Sequence, residues 1–386
     1  MFLHLLCLPF IFSIQSRAQL VSIVQQVKAL YVFGDSIVDS GLNLNRAINA
    51  SYSPYGCDFR IPASGRFTNG NTIPDMLGLS LNLTVSIPVW VGDVDPNTST
   101  TAGFNYAYAT AGILPETGSE WENNVSMQKQ ITLFKKTLEN HLPRQIKNAE
   151  ELSNYLSNSI FLISVGSNDY LYNYLQSQNY NNGELYDMNK FGDILMFELQ
   201  KQLKALYNLG ARKMLVFDLG PIGCFPLVHN KIEGKVSCLK ELNTMITMFN
   251  GKLYYMLMDL TSLLDGTTFI VAQTYKLIYD MILNPFTYGL KNGTNPCCIV
   301  EQKGKKLCVP EMLPCQDRNS NLFWDSFHLT EAAYKIIVNK CLNDSSICTR
   351  LSMKPDRAGQ PGRRPNAIFC CCSILILAFI FPIHYF

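Results

Sequence analysis

Four short segments, KALYVF at Lys28–Phe33, SIFLISV at Ser159–Val165, KMLVFD at Lys213–Asp218 and TTFIVA at Thr267–Ala272, are nearly continuous β-branched, aliphatic and aromatic runs. A strand with one wet face alternates apolar and polar residues, whereas a run without alternation has both faces covered, as in a parallel sheet. Between these runs the period changes. Met127, Ile131, Phe134, Leu138 and Leu142 recur in steps of three and four, as do Phe191, Leu195, Leu199, Leu203 and Leu206. Leu242, Met245, Phe249, Leu253, Met256 and Leu260 repeat the pattern. Each set draws an apolar stripe along one face of a helix. Strand and helix therefore alternate, which predicts a doubly wound α/β sandwich. A further short strand is expected near Phe104–Tyr108.

In such a sheet, functional groups collect in the crevice beyond the carboxyl ends of the strands. Ser36 follows the first run in YVFGDSIVDSG, and Asn168 follows the second in ISVGSNDY. Asp325 and His328 stand in FWDSFHLTEAAY, ahead of a last helix expected to start from Thr330 as N-cap, with Glu331 in its first turn. A hydroxyl is a weak nucleophile at neutral pH. It needs an imidazole to take its proton and a carboxylate to hold that imidazole in the useful tautomer. Ser36, His328 and Asp325 supply those three groups. Of the histidines outside the apolar ends of the chain, His141 lies beside Pro143 and His229 beside Asn230 and Lys231, and both read as ordinary solvated side chains. His328 has a carboxylate three residues upstream and Phe323, Trp324 and Phe327 around it. Taken singly these signals are weak, because Gly-Asp-Ser after a strand is a common turn. The Gly-x-Ser-x-Gly elbow of the α/β-hydrolases is missing from the chain, which excludes that architecture.

FGDSIVDSG, PYGCDFRIPASGRFTNG, GFNYAYATAGI, ISVGSNDY, FDLGPIGCFP, a CC…C…C cluster and FWDSFHLTEAAY follow one another between about Leu30 and Cys348. In this order they resemble the plant-type GDSL esterase/lipase family, within the SGNH hydrolase superfamily. The resemblance implies a three-layer α/β/α sandwich with a mostly parallel, flavodoxin-like sheet. It also implies a secreted carboxylic-ester hydrolase that takes a small-molecule or lipid ester and uses no metal or organic cofactor. Ser36 would be the nucleophile, with Asp325 and His328 completing the triad. Asn168 and a glycine of the ATAGI stretch, taken as Gly112, would join the serine's own N–H as oxyanion donors. There are departures from the family pattern. DSGLNLN stands for DNGNNN, which puts Ser40 and Leu42 at amide positions, and NYAYATAG stands for NFASGGAG, with Tyr108 and Thr110 at small-residue positions. Leu329 replaces the proline after the histidine, and the double cysteine lacks its following glycine. Two other readings use the same scaffold. One is acyl transfer to a sugar or lipid alcohol, with Tyr52, Tyr55, Tyr106 and Tyr108 as an acceptor platform, although aromatics at such spacing are more often core. The other is a catalytically silent glycoprotein that binds a lipid or glycan.

The formal charge is +2 with signs interspersed, so the chain lacks the basic stripe of a nucleic-acid binder, and no obligate protein partner is inferred. Residues 1–18, MFLHLLCLPFIFSIQSRA, form an apolar run ending in the small-x-small spacing of Ser16 and Ala18. They read as a secretory signal peptide, against the competing reading of a buried N-terminal helix; no Lys or Arg precedes the run. Residues 19–352 then form the hydrolase domain, and 353–386 a Pro/Gly/Arg-rich linker with an apolar tail. That tail is long enough for a marginal membrane span. Arg363 and Arg364 would flank it on the exported side, against the positive-inside tendency, so stable anchoring is not favoured and a soluble extracellular protein is expected.

The body carries nine cysteines, Cys57, Cys224, Cys238, Cys297, Cys298, Cys308, Cys315, Cys341 and Cys348, several in close pairs, as suits an oxidising compartment. Nine is odd, so one thiol stays free or pairs elsewhere. The Cys297–Cys315 group has no Cys-x-x-Cys and no histidine at ligand spacing, which favours disulfides over zinc. Cys224 with Cys238 is the first pairing expected, because their separation bridges one excursion at a strand end. Asn-x-Ser/Thr sequons at Asn49, Asn82, Asn97, Asn124, Asn292 and Asn343 are candidate glycosylation sites and should lie in surface loops.

Overall fold

A computed structural model of the chain describes residues 27–352 except 44–47, 84–85, 91, 93–100, 122–123, 175–186, 229, 233–234 and 301–306. The signal-peptide and tail readings, Asn97 and His229 fall outside the described residues.

The four apolar runs form the central sheet. Strands β1 (Leu30–Gly34), β2 (Ile160–Ser164), β3 (Lys213–Phe217) and β4 (Thr268–Ala272) lie side by side in that order, all parallel. A short β5 (Cys348–Arg350) closes the far edge antiparallel to β4. One row across the sheet pairs Val32, Leu162, Leu215 and Ile270, all buried. Helices cover both faces, so neither side of these strands meets water and no polar alternation is needed.

The segment expected as a strand near Phe104–Tyr108 runs along the free edge of β1. Leu30 N donates to Ala102 O (2.9 Å), Val32 N to Phe104 O (2.9 Å), Tyr106 N to Val32 O (2.8 Å) and Tyr108 N to Gly34 O (3.0 Å). The second extended segment of the chain thus lies outside the first, which produces the flavodoxin-like order 2-1-3-4-5.

The helices are α1 (Ile73–Ser80), α2 (Met127–Asn140), α3 (Ala149–Ser157), α4 (Met188–Asn208), α5 (Lys240–Leu263), α6 (Thr274–Leu283) and α7 (Glu331–Asn343). The stripes read from the sequence are the buried faces of α2, α4 and α5, and each large aliphatic side chain so buried contributes about 1.5–3 kcal/mol. The first stripe is interrupted: α2 stops at Asn140, and Leu142 and Pro143 begin a separate turn, Leu142–Gln145. That break folds the chain back. His141, expected in solvent, is buried instead, with its ring 6.4 Å from that of Phe104. Helix α7 starts from Thr330, whose side chain accepts from Ala333 N, with Glu331 in the first turn.

Among the described residues four disulfides staple local excursions: Cys224–Cys238, Cys297–Cys315, Cys298–Cys308 and Cys341–Cys348. Cys57 is the free thiol among the described residues and is exposed. The sequons differ in setting. Asn82 and Asn343 are exposed, the latter at the end of α7 rather than in a loop, while Asn49 and Asn292 are half-buried. Asn124 contradicts the surface-loop expectation: it is 6 % exposed, and its Nδ2, the atom a glycan would occupy, donates to Thr117 O at 2.7 Å.

Candidate active site

The site is assembled at the carboxyl ends of β1 and β2. β1 ends at Gly34, where φ is +152° and a Cβ would fall 2.0 Å from Ser164 O, so glycine is what lets the two strand ends approach. The next turn is held by Asp35. Its carbonyl accepts from Val38 N (3.1 Å) and Asp39 N (3.0 Å), and its Oδ1 accepts from Ile37 N (3.1 Å). Gln130 clamps the start of this turn, accepting from Gly34 N and donating to Gly34 O, both at 2.8 Å. Sequence reasoning passed over Gln130, although a glutamine within the buried stripe of α2 was a legible anomaly.

Ser36 and His328, 292 residues apart, meet with Oγ 2.7 Å from Nε2. On the other side of the ring, Nδ1 is 2.8 Å from Asp325 Oδ2 and 3.0 Å from Oδ1. Asp325 Oδ1 also accepts from Phe327 N (2.8 Å) and His328 N (2.7 Å), so the loop between carboxylate and imidazole closes on the carboxylate itself. These partners dictate the tautomer: a carboxylate only accepts, which places the ring proton on Nδ1 and leaves Nε2 free to accept from the serine. The three residues are buried, 6, 4 and 0 % exposed for Ser36, His328 and Asp325. Phe67, 4.9 Å from the imidazole, and Phe327, 5.2 Å away, shield the ring.

Asn168, buried at the start of the helical turn that follows β2, donates through Nδ2 to Ala109 O at 3.2 Å and to Ala111 O at 3.0 Å. Ser36 N donates to the same Ala109 oxygen, also at 3.2 Å. Two donors expected for an oxyanion thus converge on one point beside the serine, and a main-chain carbonyl holds that point. Gly112 has contacts of another kind. Its carbonyl accepts from Met127 N, and a Cβ there would lie 2.4 Å from Thr117 Cβ and 2.8 Å from Asp169 Oδ1. Packing accounts for that glycine. Ala109, at the first glycine position of the NFASGGAG pattern, went unremarked in the sequence because side-chain identity does not reveal where a carbonyl points.

Three buried carboxyls stand near the nucleophile. Burial pushes Asp39 and Asp169 up to about 6, opposed by the backbone amides and side chains that donate to each. Burial acts more strongly on Asp35, only partly offset by the Ile37 amide and reinforced by Asp169, and carries it up to about 8. Asp35 Oδ2 has no hydrogen-bond partner among the described residues, in keeping with a side chain that is protonated and uncharged at neutral pH. A neutral group there does not oppose negative charge developing at Ser36.

An apolar cavity at the ends of β2 and β3 is lined by Ile37, Phe217, Leu219, Phe225, Ile278 and Phe327 among others, and no triad residue lines it. Ile37 and Phe327 are chain neighbours of Ser36 and His328. Of the four tyrosines considered as an acceptor platform, Tyr55, Tyr106 and Tyr108 are buried in the body. Tyr55 Oη donates to Asp325 Oδ2 at 2.6 Å, a contact that sequence reasoning missed.

Residues 30–341 match the protein-family model described as GDSL-like Lipase/Acylhydrolase. Among curated proteins, the chain is 39% identical over 323 residues to GDSL esterase/lipase 7 of Arabidopsis thaliana, covering 82% of this chain and 88% of that one. It is 34% identical over 362 residues to GDSL esterase/lipase At1g29670 of the same plant, covering 93% and 97%.

Proposed function

The chain belongs to the family of GDSL-like lipases and acylhydrolases and is a serine esterase/lipase acting on ester bonds; from that premise we propose that Ser36, His328 and Asp325 cleave the ester through an acyl-enzyme. The observation that carries this reading is the unbroken line from Ser36 Oγ through His328 to Asp325, with contacts of 2.7 and 2.8 Å.

His328 Nε2 takes the hydroxyl proton as Ser36 Oγ attacks the ester carbonyl, and Asp325 keeps the Nδ1 proton in place and stabilises the imidazolium. The oxyanion takes over the two donors that Ala109 O holds at rest, the Asn168 amide and the Ser36 N–H. The imidazolium then protonates the departing alcohol. In the second half His328 draws a proton from water as that water attacks the acyl carbonyl, and then gives it to Ser36 Oγ as the bond to the acid breaks.

Ser36→Ala and His328→Ala are each expected to lower turnover of a short p-nitrophenyl ester by about three orders of magnitude or more. Near-normal turnover in either variant refutes the assignment. A fluorophosphonate probe should label the folded protein at Ser36; failure to label favours the silent binder. We also propose secretion, which the four disulfides support because such bonds persist in oxidising compartments. Expression of the full chain in plant cells should yield protein in the medium with Gln19 as its first residue. Retention inside the cell would count against export.

A further inference from the structure

The PYGCDFRIPASGRFTNG block supplies no group to the reacting atoms, yet one of its side chains reaches the triad. We propose that Tyr55 is a positioning residue for ester cleavage, holding Asp325 through its hydroxyl and itself held by the backbone N–H of disulfide-bonded Cys308. This rests on the Ser36–His328–Asp325 reading above.

The direction of each hydrogen bond follows from chemistry. Tyr55 Oη lies 2.6 Å from Asp325 Oδ2 and 3.1 Å from Cys308 N. A backbone N–H only donates and a carboxylate only accepts, so the single phenolic proton must point at Asp325 while the oxygen accepts from Cys308. The relay therefore runs from Cys308 N–H through Tyr55 to Asp325, His328 and Ser36. Burial lifts the Tyr55 phenol well above its usual range, and the Asp325 charge adds to this, so the hydroxyl keeps its proton.

Asp325 needs this donor. A fully buried carboxylate is costly unless its lone pairs are occupied. Oδ1 is satisfied by the amides of Phe327 and His328, but Oδ2 has only the imidazole and Tyr55. Without the phenol, Oδ2 keeps only the imidazole, and a lone pair of a fully buried carboxylate is left without a donor. The phenol also draws charge from the carboxylate, which moderates its hold on the imidazolium proton.

The anchor is itself fixed. Cys308 is bonded to Cys298, and Cys298 N donates to Trp324 O at 2.8 Å, on the residue preceding Asp325. Around the Tyr55 ring, Tyr52, Phe67 and Trp324 stand at 5.3, 5.8 and 6.4 Å in edge-to-face contact. Phenylalanine at this position preserves those contacts and removes only the hydroxyl.

Tyr55→Phe is therefore the test, with thermal melting to establish that the full chain is folded. The expected result is a kcat about tenfold lower, with KM for a p-nitrophenyl ester changed less than twofold. The acid limb of the kcat/KM profile should move to higher pH, because the unmoderated carboxylate holds the imidazolium proton more tightly. A side chain that merely fills space moves neither the limb nor the kcat-to-KM split. Unchanged kcat and an unmoved limb in folded Tyr55→Phe, with turnover abolished in Ser36→Ala, overturn this inference and leave the triad reading intact. Turnover surviving in Ser36→Ala would overturn the triad reading itself.

Discussion

Asp325→Asn tests the orientation argument at constant side-chain size. Asp325 Oδ1 accepts two backbone amides, from Phe327 and His328 at 2.8 and 2.7 Å, so an asparagine must place its carbonyl oxygen there. Its NH2 then occupies the position of Oδ2, 2.8 Å from His328 Nδ1 and 2.6 Å from Tyr55 Oη. An NH2 group donates, so Nδ1 must accept, and the ring proton moves to Nε2. That nitrogen faces Ser36 Oγ at 2.7 Å, and the group that should take the serine proton now offers one. The wrong tautomer is expected to lower kcat by about four orders of magnitude, a barrier increase of about 5 kcal/mol at 1.36 kcal/mol per decade. Tyr55 Oη, already accepting from Cys308 N, would face a second donor, so the fold should lose about 1–3 kcal/mol while remaining assembled. Initial rates on a p-nitrophenyl ester measure the first effect and urea unfolding the second. Turnover within tenfold of wild type in folded protein would refute the claim that Asp325 sets the tautomer.

Asn168→Ala should lower kcat by about two to three orders of magnitude with little change in KM. Gly112→Ala should cost about 1–3 kcal/mol of stability through the Thr117 contact; a selective kcat loss at Gly112 as large as that at Asn168 would support its N–H as an oxyanion donor. Asp35 has a folded pKa of about 8, raised above the usual carboxyl value near 4, so its contribution to stability is greatest below about pH 4 and declines until the pH passes 8. The urea midpoint of Asp35→Asn should therefore rise relative to wild type between pH 4 and pH 9, and a constant difference across that range would sink the assignment. In protein from a secretory host, peptide mapping should find Asn124 unmodified, because its amide is buried and donating; a glycan recovered there would show that the side chain reaches solvent.

Much of the fold was legible because it rests on local periodicity. The unalternating runs became the four parallel strands, and the three stripes became the buried faces of α2, α4 and α5. Thr330 was readable as a cap because capping acts over a few residues. The candidate triad was legible for a chemical reason: only one histidine of the body carried a carboxylate at short range beside a plausible aromatic shelter. What escaped were partners chosen by packing. His141 entered the interior because a helix ended one turn early, and Asn124 was buried by a loop that uses its amide.

The sequence alone determined the order of strands and helices and the residue types able to activate a hydroxyl, since both are written in side-chain chemistry and short-range spacing. The tertiary structure alone decided that Ser36 and His328 meet, that Ala109 O occupies the donors of Asn168 and Ser36, and that Tyr55 secures Asp325. Such contacts depend on the direction of a carbonyl or hydroxyl after distant segments pack, and that direction is set by the assembled sheet and its loops rather than by the identity of any one residue.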